Sequence, residues 1–384
     1  MGCYFILLAD FVDHRNIPKT DILKNEFEPC GYSECGYCEE IRGRPSSKPN
    51  TSELPKVVVV QTDLTKGYGN RIPPLVCGFI YSLLSDRLFF IDGYDNFTDY
   101  YEKDFELDWK IVENMYKNST SRHLHKRNIL NDFQLMATGN LSNDKTDILY
   151  VATWDYVCAL ITSNPHYKEW FNKLIPDSRV FTAISLKLLR LHPNISKQVE
   201  IFADNNFKDY NIGIHVREKK TTNRLKTPIE HFSEVVKMLI LGMKNMNITI
   251  FVAADSNNVH TDDNMDAPNP YNSNTGTEIG ALIDMKLLSL CDDLVITYGS
   301  TFGYTAVGWS PKVSHRKGPY VVMPIKNSSD DFTTSDKVWV YGATSNEPCM
   351  YLSKWVLDKA DKEISRTFKS NPLWMHYSQC HWPI

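Results

Sequence analysis

No Asp-x-Asp pair occurs anywhere in the 384 residues. A protein that grips a diphosphate through a divalent cation needs clustered carboxylates. Asp262-Asp263 and Asp330-Asp331 are adjacent acids, and both lie in polar, loop-like runs that read as solvated acids. No Walker Gly-Lys-Ser/Thr is present. Gly67-x-Gly69 lacks the third glycine of a dinucleotide fingerprint, because position 72 is Ile. Basic excess is missing too: the formal net charge is −4, which gives nucleic-acid binding no electrostatic footprint. No apolar run approaches the ~20 residues of a membrane span. Met1 to Phe11 is too short for an anchor and carries no basic leader. The sequence therefore reads as a soluble protein or as part of a longer chain.

Cysteine is not scarce. Of nine cysteines, Cys30, Cys35 and Cys38 cluster near the start, and Cys349 and Cys380 sit near the end. Zinc would need a fourth ligand for the first cluster, and no second Cys-x-x-Cys pair exists, so disulfides are preferred over zinc. Sequons at Asn50, Asn96, Asn118, Asn140, Asn194, Asn247 and Asn327 lean the same way, toward a secretory compartment. Aromatics at 12% suit sugar-handling sites and ordinary cores equally.

Along the chain, residues 1–55 read as an irregular segment holding the cysteine cluster. Lys56 to Gln61 is a β-branched run suited to a buried strand. A glycine loop, Thr65 to Arg71, precedes a helix from Leu75 to Leu84 and a strand from Arg87 to Asp92. That is a βαβ unit whose loop lies where open α/β sheets bind ligands. Residues 93 to 145 give no clear element. Asp147 to Ala152 reads as a strand leading to Asp155, and helices follow over His166 to Leu174 and Arg179 to Leu191. His192-Pro193-Asn194 reads as their terminator.

A second series starts near Asn211. Ile212 to Val216 reads as a buried strand carrying His215, with Arg217 at its carboxyl end and Lys219, Lys220 and Arg224 close behind. A helix (Phe232 to Met243), a strand (Ile248 to Ala254), a long polar loop (Asp255 to Thr277) and a helix (Glu278 to Leu290) come next. Leu294 to Thr297 is a strand, then a tight turn, then a helix opened by Ser300-Thr301-Phe302-Gly303-Tyr304. Gly318 to Met323 is one more strand. Strand and helix alternate throughout, which predicts two Rossmann-like α/β domains facing a cleft. The boundaries expected are 56–200 for an acceptor-side domain, 201–345 for a nucleotide-sugar domain and 346–384 for a C-terminal segment.

Arg217 and the Ser300-Thr301 helix start follow different strands of the second half. If those strands are neighbours, both face one crevice. Arginine's planar fork suits phosphate bidentately, and a helix start offers N–H groups and partial positive charge. Together they could hold a pyrophosphate and stabilise a departing nucleoside diphosphate. A strand-end ion pair is the plainer reading of Arg217, and a core histidine that of His215.

These residues carry a resemblance. Gly67-Tyr-Gly-Asn-Arg71 with Leu83-Leu-Ser-Asp-Arg87, Ile212-Gly-Ile-His-Val-Arg217, and Leu287-Leu-Ser-Leu-Cys-Asp292 through Ser300-Thr-Phe-Gly-Tyr-Thr-Ala306 resemble the plant-type xyloglucan α-1,2-fucosyltransferases in order and spacing. Leu7-Leu-Ala-Asp10 and Glu347-Pro-Cys349 look like further family elements. The resemblance implies a GT-B type fold, GDP-fucose as donor, inversion at the sugar, no metal or other cofactor, and a Golgi lumenal domain behind a membrane anchor. The implied donor contacts are His215, Arg217, Ser300, Thr301, Phe302, Gly303 and Tyr304, with Arg217 catalytic. Gly67, Gly69, Asn70, Arg71 and Asp92 fall on the acceptor side, and Asp155 is the favoured base. A Cys349–Cys380 disulfide is implied as well. Gly-Tyr-Gly replaces the usual Gly-Leu-Gly, His215 stands where plant members tend to carry Gln, and residues 93 to 145 match poorly.

The reading is an inverting transferase moving L-fucose to a galactose hydroxyl of a cell-wall or surface glycan such as xyloglucan. A protein-O-fucosyltransferase or other GDP-sugar transferase is an alternative with the same donor site. An inactive glycan-binding or scaffolding relative is an alternative of another class. The partners expected are GDP-fucose and a galactose-containing glycan, with a homodimer as an open oligomeric state.

Overall fold

The structure, a computed structural model, describes residues 54–62, 67–102, 107–124, 129–152, 156–175, 179–217, 227–241, 243, 245–255, 278–312, 318–323, 340–343 and 345–348. The first half comprises β1 (Val57–Gln61), α1 (Tyr68–Ser85), β2 (Leu88–Asp92), α2 (Tyr94–Thr98), α3 (Trp109–Val112), β3 (Ser121–Leu124), α4 (Ile129–Thr138) and β4 (Ile148–Val151). Helices α5 (Lys168–Leu174), α6 (Val180–Leu188) and α7 (Pro193–Asn206) follow. The second half comprises β5 (Tyr210–Val216), α8 (Ile229–Leu241), β6 (Ile248–Ala254), α9 (Glu278–Ser289), β7 (Asp293–Thr297), α10 (Thr301–Gly308), β8 (Tyr320–Val322) and β9 (Val340–Gly342).

Two sheets result, ordered β2-β1-β4-β3 and β6-β5-β7-β8-β9. All pairings are parallel except β8 with β9. β1 shows why its four valines are needed. It is flanked on both sides and covered on both faces. Val58 and Val60 pack into the main core, while Val57 and Val59 pack with Trp109 on the opposite face. β5 is likewise buried along its whole length. The main core does not stop at one sheet. It runs from Val58 through α1 to Leu282, Met285, Ala306 and Trp309, so helices of both halves share it. Glu347, near the end of the described chain, reaches back to accept a hydrogen bond from Phe181 N at 2.8 Å in α6.

Three elements depart from the sequence expectation. Helix α1 starts at Tyr68, so Asn70 and Arg71 lie in its first turn and only Gly67 stays outside as the cap. The helix passes through Pro73 and Pro74. Pro73 has no N–H for the Gly69 carbonyl four residues back. Thr305 Oγ1, from α10, donates to that carbonyl instead at 3.2 Å. Next, Pro193 opens α7 rather than ending the region, since proline at a first helical position loses no needed N–H. Lastly, β3 is an edge strand of sequence Ser-Arg-His-Leu, without the apolar run that marks a buried strand.

Cys77 of α1 and Cys158 form a disulfide across 81 residues that no spacing signalled. The expected Cys349–Cys380 bridge and the Cys30, Cys35 and Cys38 cluster lie outside the described residues. So do Asp155, Lys219, Lys220, Arg224 and the Asp262-Asp263 and Asp330-Asp331 pairs. Among the described residues, no helix is long and apolar enough to cross a membrane.

Candidate active site

β5 and β7 are adjacent and parallel, with His215 opposite Ile296. The condition set by the sequence is therefore met: Arg217 and the start of α10 leave the same carboxyl edge, one strand apart. After Thr297 the chain turns through Gly299, whose φ of +70° is a conformation glycine adopts without strain. Ser300 caps α10 in an extended conformation, but its side chain makes no capping bond. The first-turn N–H groups of α10 are thus left without a side-chain cap.

Arg217 donates its backbone N–H to Thr297 Oγ1 at 2.9 Å. Its guanidinium pairs with Asp255, which follows β6, at 3.0 Å. The arginine side chain keeps 37% of its exposure, so the fork stands at the rim rather than in the core. His215 lies inward, 4% exposed, with its ring stacked on Phe302 at 5.1 Å. Burial, and then the Arg217 charge, push its pKa down to about 3, so the imidazole stays neutral. Its Nδ1 is buried without a hydrogen-bond partner. A β-carbon on Gly303 would stand 3.0 Å from that nitrogen.

The glycine turn of the first half comes to the same place. A β-carbon on Gly69 would stand 2.5 Å from Phe302 N, so the opening turns of α1 and α10 lie against each other. Both helix N-termini, each partially positive, thus meet near His215, which stacks on Phe302 and lies two residues before Arg217. Gly67, one residue before α1, has open space where a side chain would go.

Arg71 faces another way. Its two Nη atoms bind both oxygens of Glu278 at 2.5 and 3.2 Å, and its guanidinium lies 5.4 Å from the Tyr68 ring. Tyr100 donates to Glu278 at 2.7 Å. These groups tie α1 to the start of α9 across the two halves. Asp92 ends β2 and accepts from Gln61 Nε2 at 3.2 Å. Tyr304 is buried and its hydroxyl meets that of Tyr341 at 3.3 Å. Arg87 sits at the amino edge of the first sheet, buried, donating to the Thr146 and Asp144 carbonyls at 2.8 and 3.1 Å. It is a structural member of its motif.

Sequence reasoning missed Thr297, Asp255, Glu278 and Tyr100. Asp255 carried a usable signal, since an acid directly after a strand next to β5 must lie beside Arg217. Among the described residues, no group of three or more His, Cys, Asp or Glu side chains is placed to hold a metal ion.

The architecture is α/β, with two Rossmann-like halves of GT-B type. No family model matches the chain, and no curated protein does. Among solved structures, an Arabidopsis thaliana FUT1 mutant in complex with GDP has a TM-score of 0.57 at 20% identity, covering 84% of this chain and 81% of that one. The α-1,6-fucosyltransferase NodZ soaked with GDP-fucose has a TM-score of 0.47 at 13% identity, covering 76% and 99%. NodZ is from Bradyrhizobium. POFUT1 in complex with GDP has a TM-score of 0.38 at 13% identity, covering 71% and 99%. The likeness to FUT1 is one of fold.

Proposed function

We propose that the chain is an inverting fucosyltransferase that moves L-fucose from GDP-fucose to a galactose hydroxyl, forming an α-1,2 link on a cell-wall or surface glycan such as xyloglucan. One observation carries the donor reading: the N-termini of α1 and α10 meet at a neutral, buried His215, two residues before Arg217 on the same strand edge. Two positive helix ends side by side favour an anion next to them, and a diphosphate supplies that charge. The fold shared with a GDP-bound structure supports the same choice.

In this scheme the acceptor oxygen attacks C1 of fucose and the bond from C1 to the β-phosphate oxygen breaks. GDP departs with the bonding pair. Arg217 leaves Asp255 to meet the developing charge, joined by the N–H groups that Ser300 leaves uncapped. The acceptor proton passes to a carboxylate, either Asp92 at the end of β2 or Asp155, four residues along the chain from β4. Sequons and the Cys77–Cys158 disulfide support a secretory compartment.

The test is GDP release from GDP-fucose, with and without galactose-terminated acceptors, against a panel of other sugar nucleotides. Acceptor-dependent release from GDP-fucose alone is expected. Release from another sugar nucleotide, or binding of glycan without turnover, would replace this reading.

A further inference from the structure

The β5–β7 ladder stops at the pair His215 and Ile296. One residue further, the two strands are joined by a single side-chain oxygen. Thr297 Oγ1 accepts from Arg217 N at 2.9 Å and donates to His215 O at 3.0 Å. The directions are fixed by chemistry, since an amide N–H can only donate and a carbonyl can only accept. Thr297 is buried, so water does not compete for either bond. The hydroxyl thus holds the backbone on both sides of Val216, where the strand ends and the arginine begins.

On the other side, Asp255 N reaches Val216 O at 3.4 Å, a weaker tie. Among the described residues, the guanidinium pairs at its tip with Asp255. Once Asp255 gives way to a phosphate, the position of the fork depends on where its backbone starts. The β6 ladder holds that start on one side, through Val216 and Ala254, and Thr297 holds it on the other. Thr297 lies in the strand, three residues before the helix cap Ser300, so one segment (Thr297 to Ser300) places both the arginine and the helix start.

We propose that Thr297 is a positioning residue for Arg217, holding the guanidinium in register with the α10 N-terminus for one diphosphate. This rests on the donor-site reading above. Displacements of about an ångström at a positioning group cost on the order of 10²-fold in rate.

The experiment compares Thr297→Val, which keeps the shape and removes the hydroxyl, with Thr297→Ser, which keeps the hydroxyl. GDP affinity is measured by calorimetry, and kcat and KM for the sugar nucleotide by GDP release. The Val variant is expected to lose about 10- to 100-fold in kcat/KM, mostly in kcat, and Ser to recover most of it. In an Arg217→Lys background the Val change is expected to add little, because the two act through one group. Melting temperatures report folding separately, and Thr297→Ala replaces Val in the cycle if Val does not fold. Additive losses in the cycle, or a folded Val variant with wild-type kinetics, overturn the positioning role. A wild-type chain that binds no GDP overturns the donor reading itself, which is a different result.

Discussion

The amide nitrogen of Phe302 lies 2.5 Å from the point where a β-carbon on Gly69 would stand. The neighbour is backbone at the start of a helix, not the free end of a side chain, so it cannot swing aside. Gly69→Ala must push α1 from α10. A loss of about 1–3 kcal/mol of stability is expected, as for other overpacked sites, together with weaker GDP binding. Gly67→Ala is the control: it meets nothing within 4 Å, at an ordinary φ of −61°. Equal melting of the wild type and Gly69→Ala would show that the two helix starts are not in contact.

His215 gives a pH prediction. Its folded pKa is about 3, against 6.5 for the free side chain, because burial and then Arg217 disfavour the cation. Between those values the unfolded chain binds a proton that the folded chain does not. Stability is therefore full above about pH 6.5 and falls as pH drops toward 3, by up to about 1.4 kcal/mol per unit. Asp144, held down to about 2 by hydrogen bonds from Thr146 and Arg122 against the opposing effect of burial, has the same sign but acts only at lower pH. His215→Gln should flatten the upper part of the slope. A melting temperature with the same pH dependence in both proteins would show that His215 is not held neutral.

Arg217→Lys should leave the fold intact. The guanidinium is at the rim, and a lysine can still reach toward Asp255. Transfer should fall on the order of 10²-fold or more, since a point charge cannot replace a two-pronged contact with the leaving diphosphate. Single-turnover rates with saturating donor would measure it. Near-normal turnover in a folded variant would return Arg217 to the plainer role of strand-end ion pair.

These residues show what a sequence makes legible. β1, β5 and β7 could be read because β-branched runs buried on both faces have few other fates. Arg217 and Ser300 could be read because strand ends and helix starts are where the backbone itself exposes chemistry. What escaped was set by distance along the chain. Arg71 was visible as an exposed-looking cation, but its partner Glu278 is 207 residues away. Cys77 and Cys158 have no spacing signature, and their bridge exists only because α1 packs against the short helical turn Val157–Ser163 after β4. Tyr304 was assigned to the ligand by its motif, whereas its side chain goes inward to Tyr341. Helical periodicity decides that direction, and the last residue of a capped turn points to the core as readily as to the cleft.

Metal independence is expected on the proposed donor reading, in which cationic and helix-end groups supply the charge and no Asp-x-Asp pair is needed. GDP release should be unchanged after dialysis against EDTA. Complete loss on chelation, restored by Mn²⁺, would mean that carboxylates outside the described residues assemble a cation site.

The sugar itself offers the last test. If the donor is GDP-β-L-fucose, one direct displacement gives an α-linked product. On the proposed reading the leaving charge is met on the α10 side of the crevice and the acceptor approaches from the first sheet. Two acids end strands or follow them there. Asp92 already accepts a hydrogen bond from Gln61, which holds its carboxylate in place. Asp155 comes four residues after β4 ends at Val151, the strand next to β1, and is the favoured base. Removing a general base typically costs 10²- to 10⁴-fold, so Asp155→Asn is expected to lose at least about 10²-fold while still binding GDP. Asp92→Asn should lose less. A loose transition state in which water takes the proton would instead leave both variants active. Product anomers read by NMR separate the remaining questions: a β-linked fucose would overturn inversion, and an α-linked product from a fully active Asp155→Asn variant would remove the base and leave the donor site standing.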